Sequence, residues 1–237
     1  MSPIRNQGVP PANRLLAALP QQEYRSLLPG LKEVTLTFGD ILFEPGDAIR
    51  HVYFPNNSII SLLSAVAEHS TLEVGMVGNE GMAGISVFMG VDKANTRGLV
   101  QGGGSAMRMK SAALRKESNH TSSLHHLLHR YTHSLLTQIS QSSACNRFHP
   151  VNARLARWLL MTRDRLSADE FRLTQDFMSH MLGIRREGVN KAASALQKEK
   201  LISYSRGTIT ILDHAGLKAA CCRCYHIIKA ESDSFLN

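Results

Sequence analysis

From Ser122 to Asn146 the sequence contains neither proline nor glycine, and the chain differs in character on the two sides of that stretch. An unbroken run of this length demands a single long helix of about seven turns. Within it Leu124, Leu128, Tyr131 and Leu135 step by 4, 3 and 4, and Gln138, Ser142 and Cys145 continue the stripe with less apolar residues. That spacing is a coiled-coil seam. The stripe can pack on the domain that precedes it, or it can pair with a second copy of the chain. Its place between a strand-rich part and a basic helical part favours pairing, so Leu124, Leu128, Tyr131 and Leu135 are assigned to a homodimer interface.

Upstream, from about Val34 to Met109, the chain reads as short strands. "VTLTF" alternates with period two, Gly39-Asp40 breaks it, and "ILF" leads into the turn "EPGD". "HVYF", "SIISLL", "TLEVGMV" and "GLVQGGGSAMRM" follow, each bounded by turn residues. Many short strands with no helix-length segments between them give an antiparallel sandwich or jelly roll rather than a parallel sheet.

Downstream, Pro150 suits the first turn of a new helix, and His149-Pro150 marks the boundary. Thr174 caps the short helix "QDFMSHML", Asp176 suits its first turn, and Gly183 ends it. A second helix runs to about Lys200. "LISYS", a turn at Arg206-Gly207 and "TITIL" then form a hairpin, which completes a winged helix-turn-helix. The expected fold is α+β. A β jelly-roll domain with its N-terminal arm occupies residues 1–118, a dimerisation helix and hinge 119–148, and a winged helix-turn-helix domain 149–237.

Charge adds a direction. The chain carries 27 basic and 19 acidic side chains, and residues 149–213 hold 11 and 7 of them, the densest positive balance. A polyanionic partner suits that stretch. In "GIRREGVNKAASALQKEKLI", Val189, Ala192, Ala193 and Leu196 share one helix face, while Glu187, Lys191, Ser194 and Lys198 project from the other. Arg186 and Asn190 flank the helix start. A helix of this kind enters the major groove and reads bases from its N-terminal turns. Arginine bonds guanine O6 and N7 in bidentate fashion and glutamate accepts from cytosine N4, which gives adjacent Arg186 and Glu187 a use.

The stretch "LTQDFMSHMLGIRREGVNKAASALQKEKLI" resembles the DNA-binding signature of the Crp/Fnr superfamily of bacterial transcription regulators. "VTLTFGDILFEPGD" is similar to the opening of that family's cyclic-nucleotide-binding jelly roll, and the resemblance spans about residues 30–213. It implies a cytoplasmic, homodimeric, non-enzymatic regulator of double-stranded DNA, with RNA polymerase and a small-molecule effector as further partners. Carried over, Arg186, Glu187 and Lys191 are the base readers. Thr174, Arg185, Asn190, Ser194 and Arg206 are phosphate contacts. Lys191 stands where the family often has arginine, and Gly188 replaces a usual hydroxyl residue, so the half-site is expected to differ from the family's commonest one.

The family's nucleotide binders carry a Gly-Glu-Leu/Ile-Ala/Ser run and an Arg-Ser/Thr pair. Here "VGNEGMAGISVFMG" places Met82 after Gly81, and Thr96-Arg97 stands in reversed order. Glu80, Gly81, Met82 and Arg97 remain the candidate effector pocket, with an effector other than a cyclic nucleotide expected. His125, His129 and His133 form a helical strip that reads as solvated, beside His120 and His126. In "CCRC", Leu217, Cys221, Cys224 and Ile228 read as a buried stripe and Cys222 as exposed. No metal or cofactor is assigned. A cupin-like metalloenzyme needs closely spaced ligands on barrel strands, and His51 and His69 do not supply them. The N-terminus lacks the apolar run of a signal peptide or membrane span.

Overall fold

The computed structural model describes residues 11–67, 70–118 and 121–235. His69, His120 and the first ten residues of the expected N-terminal arm lie outside them. Two short helices, α1 (Arg14–Ala17) and α2 (Gln21–Leu27), precede seven strands: β1 (Leu31–Leu36), β2 (Ile41–Phe43), β3 (His51–Pro55), β4 (Ile59–Ala67), β5 (Ser70–Val77), β6 (Arg97–Gly102) and β7 (Gly104–Lys110). They form two antiparallel sheets of order β1-β7-β3 and β2-β6-β4-β5. Alternation sends Ile60, Leu62, Val77 and Val100 into the core of the roll, and Ala106 and Met109 of β7 are buried in the same cluster. Ile59, Leu63 and Met76 point outward, toward the C-terminal domain.

"GLVQGGGSAMRM", expected as one strand, is two. The chain leaves one sheet at Gly103 and enters the other at Gly104, whose φ of 156° and closeness to Asn57 O (2.6 Å from an added Cβ) both require glycine.

Next come α3 (Ser111–Glu117) and the long α4 (Ser123–Phe148). Ser122 caps α4 by accepting from His125 N. The Glu23 carboxylate of α2 accepts from Ser123 N, Ser123 Oγ and Leu124 N, a favourable placement at a helix N-terminus. These bonds to Ser123 hold the Glu23 carboxyl below its ordinary range.

Beyond the hinge lie α5 (Val151–Leu166), β8 (Glu170–Arg172), α6 (Gln175–Leu182), α7 (Arg186–Lys198), β9 (Ile202–Ser205), β10 (Thr208–Ile211), α8 (His214–Ala220) and α9 (Cys224–Ser234). The hairpin is joined by β8 into a sheet of order β8-β10-β9, a strand too short to show a period in the sequence. Trp158, Met178, Val189, Leu196, Ile209 and Leu217 fill the core of this domain. α9 then returns along α4, with Phe235 on the Tyr131 ring (5.8 Å between centroids) and Arg130 donating to Ser234 O.

The stripe assigned to a dimer interface is internal. Leu124, Leu128, Tyr131 and Leu135 are 0–5% exposed and belong to the core of the β-roll. Tyr131 donates its hydroxyl to Met82 O (2.9 Å). Gln138 closes a two-way bond with the β5 backbone, accepting from Met76 N (2.7 Å) and donating to Met76 O (3.1 Å). A heptad marks a packed helix face without naming the neighbour, and here the neighbour is the chain's own sheet.

The Tyr131 ring lies against Gly81 so closely that an added Cβ would sit 2.1 Å from it. Gly81→Ala should therefore lower stability by about 1–3 kcal/mol through overpacking. Gly188→Ala, whose Cβ would make only an ordinary contact with Ile184 Cδ1 (3.6 Å) within α7, should raise it by about 0.5–1 kcal/mol. Chemical denaturation of the two variants checks the contrast.

Candidate nucleic-acid interface

Local signals set the geometry of α6 and α7. Thr174 Oγ1 accepts from Phe177 N (3.1 Å), and Asp176 sits in the first turn of α6. Gly183 ends α6 at φ 60°, its N–H turned back to His180 O and Ser179 O. A side chain there would meet Leu72 of β5 (2.7 Å) as well as pay left-handed strain. Arg185 takes the N-cap position of α7 with extended backbone.

α7 buries Val189, Ala192, Ala193 and Leu196 against the domain core. Arg186, Glu187, Asn190, Lys191 and Ser194 are exposed on the other side, as the sequence pattern requires. Arg186 Nε donates to Gln175 Oε1 (3.3 Å), and Gln175 Nε2 donates to Asn190 Oδ1 (3.2 Å). Gln175 thus orients two of the candidate residues. Sequence reasoning missed it, although its position directly after the Thr174 cap was a usable signal.

Arg206 (φ 50°) and Gly207 (φ 79°) form the wing turn, with both central residues left-handed as a tight hairpin requires. A Cβ on Gly207 would lie 3.7 Å from Thr174 Cγ2, so the exposed Arg206 turn and the exposed Thr174 cap share one edge. Among the described residues none of Arg185, Arg186, Lys191 and Arg206 forms a salt bridge. The face therefore offers unneutralised cations and hydrogen-bond donors on a helix narrow enough for a major groove.

This domain is docked on the outer face of β4, β5 and β6. Trp158 Nε1 donates to Glu73 Oε1 (2.9 Å), and Gln101 Nε2 donates to Thr162 Oγ1 (3.0 Å). Ser61 Oγ lies 2.6 Å from both Glu73 Oε2 and Gln101 Oε1. One hydroxyl has one proton to donate, so the geometry is satisfied when a protonated Glu73 donates to Ser61 and Ser61 donates to Gln101. Burial pushes the Glu73 carboxyl up to about 7, against the opposing effect of its contacts with Ser61 and Trp158.

A second tie is the buried pair of Arg165 and Glu80 (2.8 Å, side chains 7% exposed). The Arg165 stem lies over Gly78, where a Cβ would come within 2.5 Å of it.

These contacts correct the expected effector pocket. Glu80 is committed to Arg165, Gly81 is covered by Tyr131, and Met82 is wholly buried in the core. Arg97 instead pairs with Glu44 (2.8 Å) at the half-exposed start of β6. The first three are consecutive and Arg97 opens a central strand, and each has a separate partner, so the four do not line one cavity.

The histidine strip divides. His125 and His129 meet through their Nε2 atoms (3.0 Å) and lie edge-on to Phe88, whereas His133 Nδ1 pairs with Glu231 Oε1 (3.0 Å). The cysteine reading also needs correction. Cys222 is buried and Cys221 is half-buried, because α9 begins at Cys224 and the two preceding cysteines lie in the turn after α8. Helical spacing does not apply across that turn.

Residues 153–220 match the Crp-like helix-turn-helix domain model. Solved structures agree over most of the chain. FixK2 from Bradyrhizobium japonicum is 14% identical with a TM-score of 0.69, covering 81% of this chain and 98% of its own. The c-di-GMP-responsive global regulator CLP from Xanthomonas campestris is 14% identical with a TM-score of 0.66, covering 82% and 100%. A Crp/Fnr-family regulator from Eubacterium rectale is 16% identical with a TM-score of 0.64, covering 87% and 96%. No curated protein matches the chain by sequence. Among the described residues no helix is long and apolar enough to cross a membrane.

The folded protein holds the Glu73 proton up to about pH 7, whereas the unfolded chain releases it near the ordinary 4.5. Stability from this site is complete below about pH 4.5 and is lost as pH rises to about 7, a change of up to ~3 kcal/mol. Glu73→Gln should abolish that part of the pH dependence. Denaturation midpoints of the two proteins at pH 5 and pH 8 test it.

Proposed function

We propose that this chain, which has the Crp/Fnr fold and carries a Crp-like helix-turn-helix domain over residues 153–220, is a sequence-specific DNA-binding transcription regulator. The observation that carries the reading is the exposed N-terminal turn of α7, with Arg186 and Glu187 side by side and Arg186 oriented by Gln175. Arg186 reads guanine O6 and N7, Glu187 accepts from cytosine N4, and Lys191 reaches a further base as a single-point donor. Thr174, Arg185, Asn190, Ser194 and Arg206 hold the phosphates on either side and set the register.

The protein acts as a homodimer on a near-palindromic site, with two copies of α7 in successive major grooves about 34 Å apart. The expected seam is buried, so pairing uses the opposite face of α4. Leu136 is 57% exposed there and Phe148 77%, flanked by exposed Ser140, Ser143 and Ala144. Small residues let two helices approach, and the apolar pair gains by leaving water. The two domains of each protomer form the bistable element. An effector that prefers either the docked or the undocked arrangement of α5 on the β-roll would shift DNA affinity by that preference. RNA polymerase is the further partner this role implies, and the cytoplasm its place of work.

In binding to randomised duplexes, Arg186→Ala should lose preference at one base pair per half-site, worth about 1–3 kcal/mol. Unchanged preference would remove Arg186 from the base-reading set. Leu136→Glu should shift the protein from dimer to monomer in sedimentation equilibrium. A dimer that survives it places the interface elsewhere.

A further inference from the structure

Four side chains from two segments far apart in sequence converge where α4 ends. Cys145 is on the last turn of α4 and His149 is its C-cap residue. Cys222 lies in the turn after α8, and Cys224 opens α9. Cys145 Sγ and Cys222 Sγ are 3.4 Å apart, Cys224 Sγ and His149 Nδ1 are 3.6 Å apart, and all four ligand atoms lie within 4.8 Å of one another. A tetrahedral zinc ion with Zn–S about 2.3 Å and Zn–N about 2.05 Å requires edges of about 3.8 Å between sulfurs and about 3.6 Å between sulfur and nitrogen. The cluster needs only small adjustments to reach that shape.

We propose that Cys145, His149, Cys222 and Cys224 form a closed, structural zinc site that fastens the C-terminal helix to the hinge. The donor set decides the ion. Three thiolates and an imidazole suit zinc and exclude magnesium and calcium, which take oxygen ligands. Four protein ligands leave no open position, which makes the site structural rather than catalytic.

Charge supplies a second, independent argument. Arg157 is 4% exposed and forms no salt bridge among the described residues. Its Nη1 reaches only Ser142 Oγ (3.2 Å) and Met161 Sδ (3.5 Å), and its Nε lacks a hydrogen-bond partner. A buried guanidinium without a counter-charge is costly. Zinc with three thiolates and a neutral imidazole carries one net negative charge, which would balance this neighbouring cation.

Cys221 is the internal control. It is half-buried, its Sγ faces Lys218 O and Cys222 O, and it stands outside the cluster. Because α9 packs along α4 as far as Phe235 on Tyr131, a metal at this end would fix the C-terminal helix at both ends.

The test is elemental analysis of full-length protein made in zinc-supplemented medium and purified without chelator. One zinc per chain is expected, retained in Cys221→Ser and lost in Cys145→Ser and Cys222→Ser. Cobalt exchanged into the wild-type protein should give the intense visible bands of a tetrahedral thiolate site, a readout that stands even where the serine variants fail to fold. Chelation should lower the thermal midpoint, with zinc restoring it and magnesium not. Substoichiometric zinc in wild-type protein with four titratable thiols would overturn the proposal. So would zinc that persists in Cys145→Ser and Cys222→Ser, or a Cys145–Cys222 disulfide in the freshly purified chain.

Discussion

Everything in this molecule is referred to α4, and α4 is held by one stripe. Leu124, Leu128, Tyr131 and Leu135 each lose nearly all contact with water against the β-roll, and a buried leucine contributes on the order of 1.5–3 kcal/mol. Apolar burial alone would allow the helix to slide. The polar members prevent that: Tyr131 is bonded to Met82 O, Gln138 is locked to both backbone groups of Met76, and Ser122 with Glu23 fixes the N-terminus. The far end of α4 then delivers the hinge, and with it the position of the helix-turn-helix domain.

The interface between that domain and the β-roll is of a different kind. It combines apolar contacts from Ile59, Leu63 and Met76 with two buried polar arrangements, the Glu73 network and the Arg165–Glu80 pair. Buried polar groups are stabilising only while every partner is present, so such an interface opens or closes rather than deforming gradually. That property suits the proposed regulator, whose β-roll and α7 must be held in one of two arrangements. Glu80 therefore belongs to domain docking through Arg165, while Gly81 and Met82 belong to the seat of α4 on the β-roll.

How much was legible in the sequence followed how local the signal was. The α6–turn–α7 unit was legible because Thr174, Gly183 and the Val189/Ala192/Ala193/Leu196 face each act within a few residues. The β-roll strands were legible from alternation, except at Gly103-Gly104, where three successive glycines hid a change of sheet. The long helix was legible as a helix, but its heptad named no neighbour, and the dimer assignment of its buried stripe failed for that reason. Cys145 and Cys222 are separated by 77 positions, and only the return of α9 onto the hinge brings them together. The burial of Cys222 depends on where α9 begins, which a helical count through the preceding turn cannot supply.

The central claim is sequence-specific DNA binding by a two-fold dimer through α7. Its most direct test is selection of genomic fragments by the purified full-length protein at two salt concentrations. The account predicts enrichment of a near-palindromic site with half-sites one helical turn apart, bound more weakly at the higher salt as phosphate contacts are screened. Salt-sensitive retention of fragments with no enriched sequence would contradict it, and would leave the exposed face of α7 as a basic surface without a code.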